Sequence, residues 1–260
     1  MCAADIARAN GDTAAASKYL KVADTWKKNV EKWTLTTNGP LASYPYYLRV
    51  PKTGNQTRAR PTPYNVGDSG PSAADRRTIV DTSFLELVRL GVRPAGDANI
   101  VRSLGVVDEQ LGVQTPSGQF WHRNDFDGYG ENPDGTQWDI GFPPCGVSTC
   151  TQQQASIGRA WPIFAGERGE YELLSGGQAA SRLSSIANAG NDGHMLPEQV
   201  WDDNPLSGEP GFQRGVGTFS ATPLAWTHAQ YIRLAWSIQA ARPVEQPQIV
   251  TCRHTGRCQN

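Results

Sequence analysis

This sequence carries no charge imbalance, no long apolar run and no metal-ligand spacing, and each absence removes a class of function. Its 260 residues hold 24 Lys and Arg against 25 Asp and Glu. That balance exerts no pull on a phosphate backbone, so no nucleic-acid partner is expected. Neutral ligands, sugars among them, fit it. No apolar stretch is long enough to cross a bilayer, and no membrane partner is expected. Met1-Cys2-Ala3-Ala4-Asp5 lacks the basic start and apolar centre of a signal peptide. His122, His194, His228 and His254 are scattered and form no metal spacing. The Asp-rich loops could hold calcium, but no Asp-x-Asp-x-Asp-Gly run indicates it. No metal or cofactor is expected.

Cysteine is sparse and clustered: Cys2, then Cys145/Cys150, then Cys252/Cys258. Two close pairs and a singleton suggest two small local disulfides and one buried thiol. A zinc site would need a tighter pair and further ligands, and only His254 lies near. Disulfides favour an exported protein, secreted or periplasmic. Asn55-Gln56-Thr57 is a glycosylation sequon, with force only in a eukaryotic source.

What is present is helical periodicity and tryptophan. Six of the eight tryptophans fall between Trp121 and Trp236, where core packing competes with sugar stacking. Ala15, Tyr19, Val22, Ala23, Trp26, Val30 and Trp33 recur at helical spacing, so residues 3–33 read as helix with a break at Asn10-Gly11. Residues 34–71 read as a long loop with room for a short hairpin. Further helices are expected over 72–90, 98–111, 162–174, from Gly176-Gly177 to about 189, and over 220–242. Residues 117–158 and 190–218 read as irregular, and the chain after Pro243 as extended. Loops this long are uncommon unless they do something. The class is mainly α, and no strand series competes.

One segment looks catalytic. In Met195-Leu196-Pro197-Glu198-Gln199-Val200-Trp201-Asp202 a carboxylate stands between a proline and a tryptophan in a Gly/Asn/Asp-rich region. This segment, with Asp81 to Val92, Arg123 to Glu131, Trp161-Pro162, Gly166 to Leu173 and Ser220 to Trp226 in that order, resembles glycoside hydrolase family 15, the glucoamylases and glucodextranases, in its bacterial branch.

The resemblance implies an (α/α)6 toroid of twelve helices, about half of them present. It also implies hydrolysis of an α-glucan or oligosaccharide from its non-reducing end, with inversion, releasing β-glucose. Starch, maltooligosaccharides and dextran are all open. Glu198 then corresponds to the general base, which activates water on the face opposite the leaving group. Arg123 matches an arginine that hydrogen-bonds sugar hydroxyls, and Trp161 a sugar-contacting tryptophan; a salt bridge and helix packing are their ordinary alternatives. Tyr129 and Trp201 are further substrate-binding candidates. Glu167 and Glu170 share a helix face and could supply an acid, although the family pattern speaks against it and first-turn acids commonly serve the helix dipole.

The family's acid lies in a Trp-Glu-Glu type motif, and no such motif occurs in residues 1–50. The Trp-Pro-Arg-Asp type segment that holds the terminal glucose is absent as well. Residues 1–250 are therefore expected to be the C-terminal portion of a catalytic domain, with 251–260 a tail. The partner would be the missing N-terminal part of the same domain, and the chain alone would be inactive. A non-catalytic carbohydrate-binding or vestigial helical domain is the alternative.

Overall fold

The computed structural model describes residues 1–49, 60–68, 70–131, 158–202 and 212–258. Cys145, Cys150 and the Asn55 sequon lie outside these. The architecture is mainly helical. An N-terminal hairpin joins α1 (Cys2–Ala9) to α2 (Thr13–Thr34). The Asp12 carboxylate accepts from the Ala15 N–H, 2.8 Å, and so satisfies an orphan donor at the start of α2. Three short ribbons follow: β1 (Leu35–Thr36) with β2 (Tyr46–Tyr47), β3 (Pro63–Tyr64) with β4 (Ala74–Asp75), and β5 (Gly112–Thr115) with β6 (Gly118–Trp121), all antiparallel. Between them stand a short α3 (Glu86–Arg89) and α4 (Ala98–Leu111). Asp97 caps α4 by accepting from the Asn99 and Ile100 N–H groups.

The second half is built on α5 (Pro162–Ser175), α6 (Ala179–Asn188), α7 (Ala225–Gln239) and α8 (Gln248–Thr255). Pro162 occupies the first turn of α5, where a missing N–H costs nothing. Gly176 ends it in the left-handed conformation, φ 80°. Helices α5, α6 and α7 pack on one another. One apolar core runs from Tyr47, Phe84 and Ile100 through Phe120 and Trp121 to Ile186, Val200 and Leu234. Burying each such side chain contributes about 1.5–3 kcal/mol.

Several expectations need correction. Residues 72–90 form no continuous helix. The Asp75 and Asp81 carboxylates accept from the N–H groups of Arg77 and Ser83, and these local bonds close short turns in place of helical ones. The buried Ile79, Phe84 and Val88 that suggested a helix face come from turns and from α3. The 117–158 segment opens with strand β6. Helix α7 starts at Ala225 instead of Ser220, because Pro223 disfavours helix at Thr222. The chain after Pro243 is not extended throughout: α8 spans residue 250, and Val250 and Thr251 are buried. Cys252 and Cys258 form a disulfide within this end. Cys2 is exposed and free, not a buried thiol. Much of the expected apolar face of α2 and α7 is exposed: Tyr19, Val22, Trp26, Trp33, Trp226, Ile232 and Trp236. The hairpin expected within 34–71 is present as β1 and β2.

Candidate active site

Four segments that are distant in sequence lie side by side near the N-terminus of α5. Backbone bridges join Trp121 to Trp161, Ala160 to Val200, and Val200 to Gly217. Thr218 N–H donates to the Gln199 carbonyl at 3.0 Å, and Glu198 N–H to the Ala221 carbonyl at 2.9 Å. The backbone on both sides of Glu198 is thus fixed by neighbours. Gln199 is fully buried, and its Nε2 donates to the Tyr129 carbonyl at 3.0 Å. This bond lays the 123–131 loop over the Glu198 segment.

Glu198 is 8% exposed. Burial pushes its carboxyl above the ordinary carboxylate range. Two hydrogen bonds work against that, one donated by the Tyr129 side chain and one at the Ala221 backbone. The Glu131 charge adds to the rise and Arg123 opposes it. The Tyr129 ring lies 6.0 Å from that of Trp161, tilted by 31°. The Arg123 guanidinium carbon stands 5.4 Å from the Tyr129 centroid and 5.9 Å from that of Trp161, within cation–π range. Arg123 Nε and Nη2 both donate to Asp127, at 2.9 and 2.6 Å.

The structure therefore gathers Glu198, Tyr129, Trp161 and Arg123 into one place. Arg123 also makes the loop salt bridge that was its ordinary alternative, with Asp127. Trp201 behaves differently. It is fully buried, with Phe212 stacked at 4.9 Å, Phe219 edge-on at 6.0 Å and the Arg159 guanidinium 4.7 Å from its ring. No ring face is left for a sugar, so Trp201 supports the segment from behind.

Glu167 and Glu170 are not brought to this site. They lie roughly 9 and 13 Å along α5 from Trp161 at ~1.5 Å per residue. Glu170 is fully buried and pairs with Arg233 at 3.0 Å and Gln230 at 3.1 Å. Glu167 accepts from Thr82 at 3.1 Å, and burial with the nearby Glu86 charge raises it to about 7.

Sequence reasoning missed several neighbours. Glu131 is 8% exposed, and its buried Oε2 has no hydrogen-bond partner among the described residues. Arg159 and Asp202 form a wholly buried ion pair at 2.8 Å, and Arg159 Nε also donates to the Glu131 carbonyl at 3.0 Å. His122 Nε2 lies 3.4 Å from Asp202. Asp202 was visible as the last residue of the motif, but Arg159 had no local signal. Among the described residues, no three His, Cys, Asp or Glu side chains are grouped to hold a metal ion.

A buried carboxylate beside tilted aromatic rings and an arginine, on loops between helices, fits a hydrolase of the glycosidase class. The particular family follows from comparison. The family model described as Glycosyl hydrolases family 15 matches residues 1–236, and the chain belongs to that family. It is 38% identical over 256 residues to a glucoamylase of Clostridium sp. (strain G0005), covering 98% of this chain and 33% of that protein. Its fold matches the crystal structure of a bacterial glucoamylase complexed with acarbose, with a TM-score of 0.82 and 38% identity. That match covers 97% of this chain and 34% of the other. The helices accordingly form part of the (α/α)6 glucoamylase fold, and the chain spans about a third of these relatives.

Proposed function

We propose that this chain is the C-terminal portion of the catalytic domain of an inverting, exo-acting α-glucoside hydrolase. It would release β-glucose from non-reducing ends of starch, maltooligosaccharides or dextran. The observation that carries the reading is Glu198: buried, held by the Tyr129 hydroxyl, and flanked by Arg123 and Trp161. The glucoamylase name of the related proteins and the acarbose of the related structure support an oligosaccharide substrate.

In this reading Glu198 acts as general base. Its raised pKa brings it closer to the operating pH, where a base removes a proton more effectively. Arg123 donates to sugar hydroxyls, while Tyr129 and Trp161 offer apolar ring surface. Inversion needs a second carboxyl roughly 6.5–9.5 Å away, on the other face of the glycosidic bond. A preceding part of the same domain would supply that acid, and residues 1–260 alone would then be inactive. Secretion or periplasmic export fits a polymer-degrading role and the Cys252–Cys258 disulfide.

The test is Glu198→Gln in the complete natural polypeptide that carries this chain. Glucose release should fall ~10²–10⁴-fold, the usual contribution of a positioned base. Binding of maltotriose, measured calorimetrically, should persist. Turnover like the unaltered enzyme would end the assignment.

A further inference from the structure

Arg123 has a second anchor, outside its own loop. Its Nη2 donates to Asp68 Oδ2 at 2.5 Å, across 55 residues of sequence. Asp127 belongs to the same loop as Arg123 and so moves with it. Asp68 belongs to a separate turn, and that turn is well fixed. Val66 N–H donates to the Pro71 carbonyl at 3.0 Å, and Gly70 N–H to the Gly67 carbonyl at 2.8 Å. Asn65 Oδ1 accepts from the Gly67 N–H at 3.0 Å. Val66 is buried against Ala74 and Ile79. The two loops also touch directly: a Cβ on Gly70 would come within 2.4 Å of the Phe126 carbonyl oxygen.

Three donated bonds therefore occupy the Nε and Nη2 edge of the guanidinium. Its central carbon stands over the Tyr129 and Trp161 rings, at 5.4 and 5.9 Å from their centroids. Nη1 is the donor that neither carboxylate takes. A planar fork held on one edge by two carboxylates can present its remaining edge in a single direction. Asn124 and Asp125 pin the backbone of the Arg123 loop to Arg49 and Val80. Among the described residues, Asp68 is the group that ties the guanidinium itself to another segment.

The geometry assigns Asp68 as a positioning residue that, with Asp127, aims Arg123 Nη1 at a sugar hydroxyl of the substrate bound beside Glu198. This rests on the functional reading above. Asp68 works through Arg123, so its loss weakens substrate binding more than it slows the chemical step.

The experiment is a double-mutant cycle in the complete natural polypeptide. Asp68→Ala, Arg123→Gln and the double variant are assayed for glucose release from maltotriose. Asp68→Ala should raise KM about 10-fold, on the scale of one charge-assisted hydrogen bond, and leave kcat within about 3-fold. In the Arg123→Gln background the same change should add no more than about 2-fold, because coupled groups are non-additive. An unchanged KM, a loss confined to kcat, or equal factors in both backgrounds overturns the assignment. A second readout does not need turnover: nitrogen relaxation of the Arg123 Nε–H should show a looser side chain in Asp68→Ala, and an unaltered order parameter also overturns it. Absence of glucose release by the unaltered protein would instead sink the functional reading, leaving that relaxation measurement to decide the role of Asp68.

Discussion

Tyr129 does two jobs at Glu198, and they separate experimentally. Its ring supplies surface next to Trp161, while its hydroxyl stabilises the ionised carboxylate against burial. Tyr129→Phe keeps the ring and removes that bond. The Glu198 pKa should then rise further. A general base works only when ionised, so the acidic limb of the kcat/KM profile should move to higher pH, with the plateau little altered. A limb that stays in place would deny Tyr129 this role. Arg159 is a different case, since its salt bridge to Asp202 has no exposed side-chain surface on either partner. Arg159→Met removes the 2.8 Å ion-pair partner of the buried Asp202, whose contact with His122 is longer at 3.4 Å. Breaking such a pair typically costs about 3–5 kcal/mol, and the urea midpoint should fall accordingly. The motif made Glu198 and Asp202 legible in sequence. Arg159 and Asp68 were illegible because only the folded loops carry them there, while Glu131 was visible only as the end of the Arg123 to Glu131 segment.

At the scale of the helices, glycine on α5 sets how close α7 can come. A Cβ on Gly169 would meet Leu234 Cδ2 at 2.7 Å, Cδ1 at 2.9 Å and Arg182 Cβ at 3.1 Å. Alanine gains about 1 kcal/mol of helix propensity over glycine, and overpacking a tight contact costs about 1–3 kcal/mol. Leu234 is fully buried, so the packing penalty should win and Gly169→Ala should lower the urea midpoint. Gly105 in α4 reverses the outcome. A Cβ there would meet only the Tyr44 hydroxyl, at 3.8 Å, and Gly105→Ala should stabilise by roughly 0.5–1 kcal/mol. Glu167 adds a pH dependence to the same helix. Its folded pKa of about 7 lies above the ordinary 4.5. Between those values the unfolded chain releases the proton while the folded chain keeps it, so stability falls as pH rises through that window and levels off above it. Glu167→Gln should therefore stabilise more at pH 8 than at pH 4.5, by comparison of urea midpoints; an equal effect at both would contradict the raised pKa. Elements with clear start or stop signals, such as α2 with the break at Asn10-Gly11 and α5 with Pro162 and Gly176, were legible from sequence. The 72–90 segment was not, because its apolar residues are buried from turns whose bonds come from Asp side chains. Helix α8 was not either, since its polar sequence carries no apolar face to read.

Over the whole molecule the exposed apolar residues follow a pattern of their own. Tyr19, Val22, Trp26 and Trp33 recur along α2, and Trp226, Ile232 and Trp236 along α7. Trp26 and Trp236 are 63% and 62% exposed. Trp26 and Trp33 line an open groove of about 510 Å³ with Leu90 and Val250. Periodicity made these residues look like core, and a toroid closed by further helices would make them core; the class was readable from sequence, while the ring came only from family resemblance. An apolar groove like the one along α2 marks a face that another segment covers. The proposed occupant is the preceding part of the same domain. Two measurements on one pair of substitutions, Trp26→Lys and Trp236→Lys, decide it. In residues 1–260 alone these rings contact mainly water, so stability should change by no more than about 0.5 kcal/mol, and self-association in sedimentation velocity should diminish. In the complete polypeptide the same rings would be buried, and each lysine should cost at least about 3 kcal/mol, the scale of losing a buried tryptophan. Substitutions that are neutral in both proteins, or an isolated chain that stays monomeric and unchanged, would show that these faces have no such partner.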